Sequence, residues 1–335
     1  MTLCIAWIRQ ENDTQELIFA TDSCLTGGGE VWKHGVKLFE LPRKDCLLCF
    51  AGETFKAYPL ILNLTSSIKF DNKIMNQHTD LRQVLEYLCN TFTELINQLQ
   101  VEITGLVEDP HATAKFIFGG WNWKLQLFEF WEIFYGVEEK KFLYKGYSSN
   151  DTRAYLMIGD HLDEAKEIML DELRKSGKQI QGDLDMEPLM VLSRMARDTE
   201  NYRSIDGALQ VAKVYQSGTT EFFGVMWQSV SGKHTFLGRE LNRYIKPQIR
   251  FIDPDSGTIL DFELPKSISK LDVKNYGNEA EFIQQCYPNG EQKPDLSEKE
   301  KEMLLAIFKD NSYKSFLTDL TGDTSEDTEE AGEHN

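Results

Sequence analysis

The stretch that decides the fold is residues 2–8, which read TLCIAWI directly behind Met1. Residues 3–8 are apolar without a break, and such a run predicts a strand that is buried on both faces. Chain termini are usually frayed and polar, so a terminus inside a sheet is unusual. This strand would hold the hydroxyl of Thr2 at a fixed place, and Thr2 is then either a nucleophile or simply the second residue.

The segments that follow predict two hairpins. Residues 9–16 (RQENDTQE) are polar and predict the turn that joins the first strand to a returning strand at 17–21. Three glycines at 27–29 interrupt regular structure and predict a flexible turn. Residues 36–41 and 46–51 then predict a second hairpin, so the chain is expected to begin with four strands.

The pattern then alternates between blocks of helices and blocks of strands. Asp80 is the expected N-cap of the second helix, and the FGGW run at 118–121 predicts a turn between strands. The blocks are, in order, helices at 54–68 and 80–99, strands at 114–118, 124–134 and 141–144, helices at 162–175 and 187–198, and strands at 208–214 and 221–228. This order does not fit a βαβ alternation. It predicts an α+β fold, a four-layer αββα sandwich of two antiparallel sheets flanked by helices.

The pattern of regular structure weakens towards the C-terminus. We expect a main domain over 1–236 and a C-terminal extension over 237–322. Ser297 and Glu300 have the spacing of a capping box ahead of an apolar run, which predicts one short helix in the extension. The tail at 323–335 is acidic and lacks large apolar residues, so it is expected to be disordered.

The composition argues against several kinds of partner and site. The 54 acidic residues outnumber the 36 basic residues and give a net charge of −18, which argues against nucleic acid or an anionic membrane as the main partner. No stretch has the pattern of a signal peptide or a transmembrane helix, so a cytoplasmic protein is expected. The 6 cysteines are scattered through apolar runs and predict reduced, buried thiols. The 6 histidines lack ligand spacing, so neither a metal site nor a cofactor is expected.

A threonine hydroxyl needs a base beside it before it can act as a nucleophile. If Met1 is removed, the α-amine of Thr2, whose ordinary pKa is roughly 7.7 to 8.0, can serve as that base. A lysine ammonium near the amine favours its neutral form, and a carboxylate can hold that lysine in place. Asp22 closes the returning strand and Lys37 starts the third strand, so both are predicted to lie near Thr2.

These residues resemble the start of a known family. The resemblance is carried by four motifs: TLCIA at 2–6, FATDS at 19–23, VKLF at 36–39 and FAGET at 50–54. They resemble a proteasome-type N-terminal nucleophile hydrolase of the proteasome β-subunit and HslV superfamily. The similarity is greatest to the bacterial branch called Anbu, the ancestral β-subunit.

The resemblance implies roles for particular residues. It makes Thr2 the nucleophile, Asp22 and Lys37 its catalytic partners, and the Gly52 N–H the donor to the oxyanion. A donor of this kind typically contributes about 3 kcal/mol to the lowering of the barrier. The resemblance also implies two substrate contacts, at Thr26 and at Phe50.

The later half of the chain resembles the family less sharply. The stretch at 155–167 (YLMIGDHLDEAKE) is similar to the family's turn before its third helix, with Asp160 where serine is usual. The stretch at 195–207 (MARDTENYRSIDG) is similar to the segment after the fourth helix. The implied supporting residues are Asp160, Asp198, Thr199, Arg203 and Ser204.

What the resemblance implies for function is a threonine-type hydrolase that cleaves amide bonds, peptide bonds foremost, after loss of Met1. The implied substrate is a peptide or unfolded protein. The implied assembly is a homo-oligomer, a ring or a helical stack, and a separate ATPase unfoldase is a candidate partner. Two alternatives remain open: an inactive proteasome-fold scaffold that binds a partner, which full burial of Thr2 would favour, and an amidase that acts on non-peptide substrates.

Overall fold

A computed structural model of the chain describes residues 2–11, 14–27, 29–99, 114–151, 154–177, 183–228, 233–241, 249–260, 264, 267–268, 273–297, 299–301, 303–304 and 307. The chain divides into two compact units. The first comprises Met1–Leu241 and Phe251–Ile259, and the second comprises Asn242–Arg250 and Leu260–Asn335. The acidic tail expected at 323–335 lies outside the described residues.

The helices and strands can be given in chain order. They are β1 (Leu3–Glu11), β2 (Thr14–Thr21), β3 (Leu25–Gly27), β4 (Glu30–Trp32), β5 (Leu38–Glu40), β6 (Cys46–Ala51), α1 (Thr54–Phe70), α2 (Asn72–Met75), α3 (Leu81–Asn97), β7 (Lys115–Asn122), β8 (Leu127–Gly136), β9 (Lys141–Ser148), β10 (Tyr155–Gly159), α4 (Leu162–Lys175), α5 (Glu187–Arg197), β11 (Gln210–Tyr215), β12 (Thr220–Gln228), β13 (Lys233–Phe236), β14 (Arg239–Glu240), β15 (Phe251–Ile252), β16 (Ile259–Leu260) and α6 (Ala280–Cys286). Two 3₁₀ segments flank α6, at Val273–Glu279 and Pro288–Gly290.

Two sheets form the frame of the first unit. The first sheet has the order β10-β1-β2-β11-β12-β13-β14, with β15 added in parallel to β12. The second sheet has the order β5-β6-β7-β8-β9, and its neighbouring strands are antiparallel. β3 and β4 form a separate two-stranded ribbon. The expected mixed class with antiparallel sheets is therefore confirmed.

Three groups of buried side chains hold the first unit together. One covers a face of the first sheet with α4 and α5 and includes Leu3, Ile5, Trp7, Met169, Leu173, Leu189 and Leu192. Another joins the other face of that sheet to the second sheet and includes Cys4, Ala6, Phe19, Leu47, Cys49, Ile117 and Phe130. The last packs α1 and α3 on the second sheet and includes Leu48, Phe50, Leu60, Leu64, Leu85, Leu88 and Phe116. Successive residues of a strand point to opposite faces, so the unbroken apolar run of β1 follows from burial on both sides.

The two turns expected near the N-terminus are shorter than predicted. Residues 9–11 belong to β1 and residues 14–16 to β2, so most of the stretch 9–16 is paired strand. The cross-strand pair Arg9↔Glu16, which also forms an ion pair with 3.4 Å between Nη1 and Oε2, extends the hairpin. In the glycine-rich stretch, Gly27 ends β3 and Gly29 lies in a turn before β4, so the described residues contain six strands rather than four ahead of α1.

The turn expected at FGGW is also wrong, because residues 118–121 lie inside β7. A Cβ atom built on Gly120 would lie 2.1 Å from the carbonyl oxygen of Asp45, and one built on Gly119 would lie 2.4 Å from Cβ of Phe130. The glycines therefore allow neighbouring strands to approach closely, which is a recognised meaning of glycine within a strand.

Predicted helix starts are confirmed in both units. Asp80 caps α3, since its carboxylate accepts a hydrogen bond of 3.0 Å from the Arg82 N–H. Ser297 and Glu300 form the predicted capping box, in which the Glu300 N–H donates to Ser297 Oγ at 3.3 Å and Ser297 Oγ donates to Glu300 Oε2 at 2.6 Å. The core of the second unit consists of Ile268, Ile283, Cys286, Tyr287, Leu296 and Leu304.

Among the described residues, none of the helices combines the length and the apolar character that crossing a bilayer requires.

Candidate active site

Thr2 directly precedes β1, and a backbone hydrogen bond holds it in place. Leu3 pairs with Gly159 of β10, and the Asp160 N–H donates to the Thr2 carbonyl oxygen at 2.8 Å. The residue is 2 % exposed in the chain that carries Met1. Thr2 is therefore fixed between two strands of the first sheet, as a nucleophile at a strand start would need to be.

Asp22 lies beside Thr2 because β2 pairs with β1. Cys4 is opposite Thr21, so the chain leaves β2 next to the start of β1. Oδ1 of Asp22 accepts the Leu3 N–H at 3.1 Å, and its Oδ2 accepts the Cys24 N–H at 2.8 Å. These bonds orient the carboxylate towards the segment that carries Lys37.

Lys37 brings the predicted catalytic residues together. Its Nζ donates to Asp22 Oδ2 at 2.8 Å and also to Thr2 Oγ1. The residue does not start the third strand as expected, since β5 begins one position later, at Leu38. Thr2, Asp22 and Lys37 thus form one connected cluster, in which the ammonium lies between hydroxyl and carboxylate.

The Asp22–Lys37 ion pair has no exposed surface on either side chain. Burial raises the pKa of the Asp22 carboxyl above its ordinary value of 3.8, whereas the Lys37 ammonium and the N–H groups of Cys24 and Leu3 lower it. Breaking a buried pair leaves an uncompensated charge in the interior and typically costs about 3–5 kcal/mol. The pair therefore holds a positive charge at Thr2 Oγ1, where it can stabilise an oxygen that develops negative charge.

Gln210 is a site residue that the sequence reasoning missed. It is the first residue of β11 and is 1 % exposed. Its Oε1 accepts the N–H groups of Lys37 at 3.0 Å and Leu38 at 3.2 Å, and its Nε2 donates to the Gly35 carbonyl oxygen at 2.6 Å. The available sequence signal is weak: a glutamine at the start of a mostly apolar strand that also contains Lys213.

Gly52 follows β6 at the edge of this cluster. It is exposed and has a φ of 116°, a backbone conformation that glycine adopts without strain. The end of β6 is tied to the site, since the Phe50 N–H donates to the Lys37 carbonyl oxygen at 3.2 Å and Cys4 Sγ donates to the Phe50 carbonyl oxygen at 3.0 Å.

The two predicted substrate contacts have different surroundings. The ring of Phe50 is fully buried and lies 5.5 Å from the ring of Tyr58 and 6.5 Å from that of Phe116, measured between centroids. It therefore points into the core below α1. Thr26 is exposed on β3, four residues after Asp22.

Asp160 is the predicted supporting residue that contacts the cluster. Besides its N–H bond to Thr2, its side-chain Oδ2 is buried and has no hydrogen-bond partner within the described part of the chain. The preceding residue, Gly159, has a φ of 120°, and a Cβ atom there would lie 1.8 Å from the Thr2 carbonyl oxygen. Glycine is therefore required where β10 meets Thr2.

The other predicted supporting residues lie at the end of α5 and in the loop that follows it. Asp198 ends α5 and accepts from the side chain of Asn201 at 2.8 Å, while Thr199 and Arg203 are exposed and Ser204 is partly buried. None of the hydrogen bonds recorded among the described residues joins them to the cluster. The same loop contacts the residue after Asp22, since the Asp206 carbonyl oxygen accepts the Ser23 N–H at 3.3 Å.

No group of three or more His, Cys, Asp or Glu side chains in the described ranges is arranged to hold a metal ion. The cysteines Cys4, Cys24, Cys46, Cys49, Cys89 and Cys286 are buried free thiols. The candidate site brings together a hydroxyl, an ammonium and a carboxylate.

Two sheets packed with helices are consistent with a proteasome-like fold, in which Thr2, at the start of the N-terminal strand, is joined to a buried lysine–aspartate pair. Solved structures agree. The helical assembly of the Anbu complex from Pseudomonas aeruginosa is similar to this chain with a TM-score of 0.50 and 16% sequence identity, over 66% of this chain and 86% of that chain. The resemblance in fold to Anbu that the first motifs predict is thereby confirmed.

Two further Anbu structures are similar. Anbu, the ancestral beta-subunit, from Yersinia bercovieri has a TM-score of 0.46 and 16% identity over 66% of this chain and 87% of that chain. The Gly-1 mutant of Anbu from Hyphomicrobium sp. strain MC1 has a TM-score of 0.45 and 14% identity over 66% and 84% of the two chains. No protein-family model matches the sequence, and no curated protein sequence matches it.

Proposed function

We propose that this protein, after removal of Met1, is a threonine-type N-terminal nucleophile hydrolase that cleaves amide bonds, peptide bonds foremost. One observation carries the proposal: the buried Nζ of Lys37 donates to both Thr2 Oγ1 and Asp22 Oδ2. Sequence reasoning independently chose the same three residues. Their convergence from three separate segments supports a catalytic reading over an accidental one.

The proposed reaction begins with attack of Thr2 Oγ on the carbonyl carbon of the amide. The α-amine accepts the hydroxyl proton and later passes it to the nitrogen of the leaving amine, which departs as the carbon–nitrogen bond breaks. An ester between substrate and Thr2 remains. Water then hydrolyses this ester, with the α-amine again moving the proton, and the free hydroxyl returns.

The charged groups around Thr2 support this sequence of steps. Lys37 stabilises negative charge on the Thr2 oxygen and favours the neutral form of the amine. Gly52 is an exposed residue directly after β6, and we propose its N–H as the oxyanion donor. The buried, unpaired Oδ2 of Asp160 is a candidate acceptor for the α-amine that Met1 removal would free. For Asp198, Thr199, Arg203 and Ser204, support comes from the sequence resemblance alone.

We propose Thr26 as the backbone contact for an extended substrate, since it is exposed on the ribbon that follows Asp22. The ring of Phe50 is buried, so we propose that it supports the substrate site from the core side instead of contacting the substrate directly. A peptide or unfolded protein is the proposed substrate.

We infer that the layers stack as an αββα sandwich, which the three buried groups of side chains support. We further propose a homo-oligomer, since the structure from Pseudomonas aeruginosa is described as a helical assembly. A cytoplasmic location is supported by the buried free thiols, which suit a reducing compartment. Any ATPase unfoldase would be a separate protein.

The test combines processing with turnover. Intact mass measurement of protein purified from cells should show a chain that begins at Thr2. Thr2→Ala should lower kcat on fluorogenic peptides or unfolded casein by on the order of 10⁴-fold or more, because the nucleophile is lost, while Thr2→Ser retains part of the activity. Thr219→Ala, a change at an exposed threonine in the turn before β12, is the matched control and should behave as the wild type.

A retained Met1, or a Thr2→Ala variant with full turnover, would contradict the proposal. The second candidate is an inactive scaffold of the same fold, and the 2 % exposure of Thr2 is the observation that favours it. That exposure belongs to the chain that still carries Met1, so the mass measurement also separates the two candidates. Turnover of small amides but not of peptides would identify the non-peptide amidase instead.

A further inference from the structure

Gln210 connects the two sheets at the candidate active site. It belongs to β11 of the first sheet, where it is paired with Thr21, the residue before Asp22. Its side chain extends to the segment 35–38, which leads into β5 of the second sheet. One residue of the first sheet thus contacts the backbone that carries Lys37.

The hydrogen bonds of Gln210 fix the orientation of its amide. The oxygen accepts two backbone N–H groups, of Lys37 and Leu38, while the nitrogen donates to the carbonyl oxygen of Gly35. The reversed amide would place its NH₂ group against two donors and its oxygen against an acceptor. The three bonds are therefore mutually consistent only in the orientation observed.

Among the other bonds to this segment, the Gly35 N–H donates to the carbonyl oxygen of Ser23, next to Asp22, at 2.9 Å, and two more come from a different part of the molecule. The Lys37 carbonyl oxygen accepts from the Phe50 N–H of β6, and the Val36 carbonyl oxygen accepts from the Tyr58 hydroxyl of α1 at 3.0 Å. Both donors belong to the second sheet and its helix. Thr2 and Asp22, by contrast, lie at strand ends of the first sheet. Gln210 therefore connects the lysine backbone to the sheet that carries its two partners.

We propose that Gln210 is a positioning residue that sets the place of Lys37 relative to Thr2 and Asp22. This inference rests on the proposed function and deepens it. A lysine side chain has four flexible carbons, so its ammonium is placed accurately only if the backbone below it is also fixed. β11 is paired directly with β2, the strand that ends next to Asp22. Gln210 of β11 therefore fixes the backbone of Lys37 relative to Asp22.

The experiment compares Gln210→Met and Gln210→Glu with the wild-type protein. Methionine has a similar length but cannot accept the two N–H groups, so kcat should fall by about 10²-fold with little change in KM, the size expected for a displacement of about 1 Å. Glutamic acid keeps all three bonds when protonated, but its ionised carboxylate repels the Gly35 oxygen. The ratio of its kcat to that of the wild type should therefore fall as pH rises.

Asn122→Asp is the matched control. Asn122 is also a buried amide at a strand end, and its Oδ1 accepts the N–H groups of Lys124 at 3.0 Å and Leu125 at 3.2 Å. It lies at the end of β7 that is next to the start of β6, where Cys46 is opposite Gly120, whereas Ala51, beside Gly52, is opposite Lys115 at the other end of β7. Asn122→Asp should lower stability, but the ratio of its kcat to that of the wild type should not depend on pH. This is the behaviour expected of a residue with a purely structural role.

A second readout does not need activity. In protein labelled with ¹⁵N-lysine, the Nζ signal of Lys37, assigned with the Lys37→Arg variant, should shift in Gln210→Met and in ionised Gln210→Glu. Wild-type kcat and an unmoved Lys37 signal in both variants would overturn the inference while leaving the proposed function intact. If the Lys37 signal moves in the variants but the wild-type protein has no turnover, the positioning role is retained and the proposed function is rejected. If Gln210→Met does not fold, the pH series of Gln210→Glu gives the same decision.

Discussion

At the scale of single residues, the main feature is a charge pair that is wholly enclosed by the protein. The side chain of Lys37 has no exposed surface, and the hydrogen-bond partners of its ammonium include the carboxylate of Asp22 and the hydroxyl of Thr2. A buried pair contributes little to net stability, because desolvation offsets the attraction between the charges. We infer that this pair is retained for what it does at Thr2, and that the surrounding bonds serve to keep it in place.

The pH dependence of stability tests the environment of Asp22. Burial raises the pKa of its carboxyl, so the folded protein holds this proton more tightly than the unfolded chain does. The contribution of Asp22 to the free energy of unfolding is then largest at low pH and is lost as pH rises from the ordinary aspartate range through the raised pKa. The loss has a slope of up to about 1.4 kcal/mol per pH unit.

Asp22→Asn cannot ionise and provides the reference. Urea unfolding of both proteins at intervals between about pH 4 and pH 7 gives the difference in unfolding free energy, wild type minus variant. We expect this difference to decrease with rising pH in the acid part of the range. An increase would mean that attraction to Lys37 outweighs burial and lowers the pKa.

The residues of the candidate site differ in how far the sequence could predict them. Thr2, Asp22 and Lys37 lie at or beside strand ends that local patterns reveal, and a nucleophile, a cation and an anion suggest a shared chemistry. Gln210 offers no such pattern. Its role depends on the pairing of β11 with β2, which joins residues nearly two hundred positions apart and cannot be read from local periodicity.

At the scale of secondary structure elements, the site depends on how β10 meets the first residues of β1. Leu3 is opposite Gly159, and the chain then turns so that the Asp160 N–H bonds to Thr2. The helix that follows, α4, begins directly after this turn, with a left-handed residue at its N-cap, His161, whose φ is 54°. Asp160 thus lies beside Thr2 between two residues with positive φ, Gly159 and His161.

Gly159→Ala should disturb both stability and the site. The added Cβ would lie 1.8 Å from the Thr2 carbonyl oxygen at a φ of 120°, so the backbone of Thr2 has to move. We expect the free energy of unfolding to fall by about 2 kcal/mol or more. Turnover should fall with it, and more than the loss of folded protein explains.

Gly177→Ala separates steric contact from backbone strain. Gly177 follows α4 with a φ of 68°, and a Cβ atom there would meet nothing within 4 Å in the part of the chain that the structure describes. Only the cost of the left-handed conformation, about 1 kcal/mol, applies to it, and kcat should be unchanged. Equal losses of stability and kcat in the two variants would contradict the role assigned to the β10 turn.

Glycines also explain where element prediction from sequence fails. FGGW has the composition of a turn, yet two strands approach Gly119 and Gly120 so closely that no side chain fits. Sequence prediction misses the β3–β4 ribbon for the opposite reason: glycine is typical of turns, and the strands beside the three glycines are only three residues long each. Amphipathic helices are predicted well, because their period depends only on which side faces the core, as in α3 with its Asp80 cap.

At the scale of the whole molecule, the site residues lie within the first compact unit. Thr2, Asp22, Lys37, Gly52 and Gln210 all belong to Met1–Leu241, and this unit also includes Phe251–Ile259. The sequence predicts three blocks of strands and two blocks of helices but places residues 251–259 in the C-terminal extension. A strand of two residues, such as β15, gives no periodic pattern that would assign it to β12, with which it is paired.

The returning segment should determine how short the first unit can be made. We compare a fragment ending at residue 259 with one ending at residue 236, the boundary that the sequence suggests. The shorter fragment loses β15, whose Ile252 is fully buried in the core group below α5, and whose Phe251 is opposite Gly224 of β12. It also loses Asp255, whose carboxylate accepts from Ser193 Oγ at 2.9 Å and is 2.8 Å from the Arg197 guanidinium.

Burial of one isoleucine side chain contributes roughly 1.5–3 kcal/mol, and the lost strand pairing adds to this. The fragment ending at 259 is therefore expected to unfold in one cooperative urea transition and to retain Thr2-dependent turnover. The fragment ending at 236 should be less stable by about 3 kcal/mol or more. Ile252→Ala within the longer fragment gives the share of the single side chain, about 2–5 kcal/mol. Equal stability of the two fragments would mean that the first unit is complete without β15. Residues 251–259 would then pack on this unit without contributing to its free energy of unfolding.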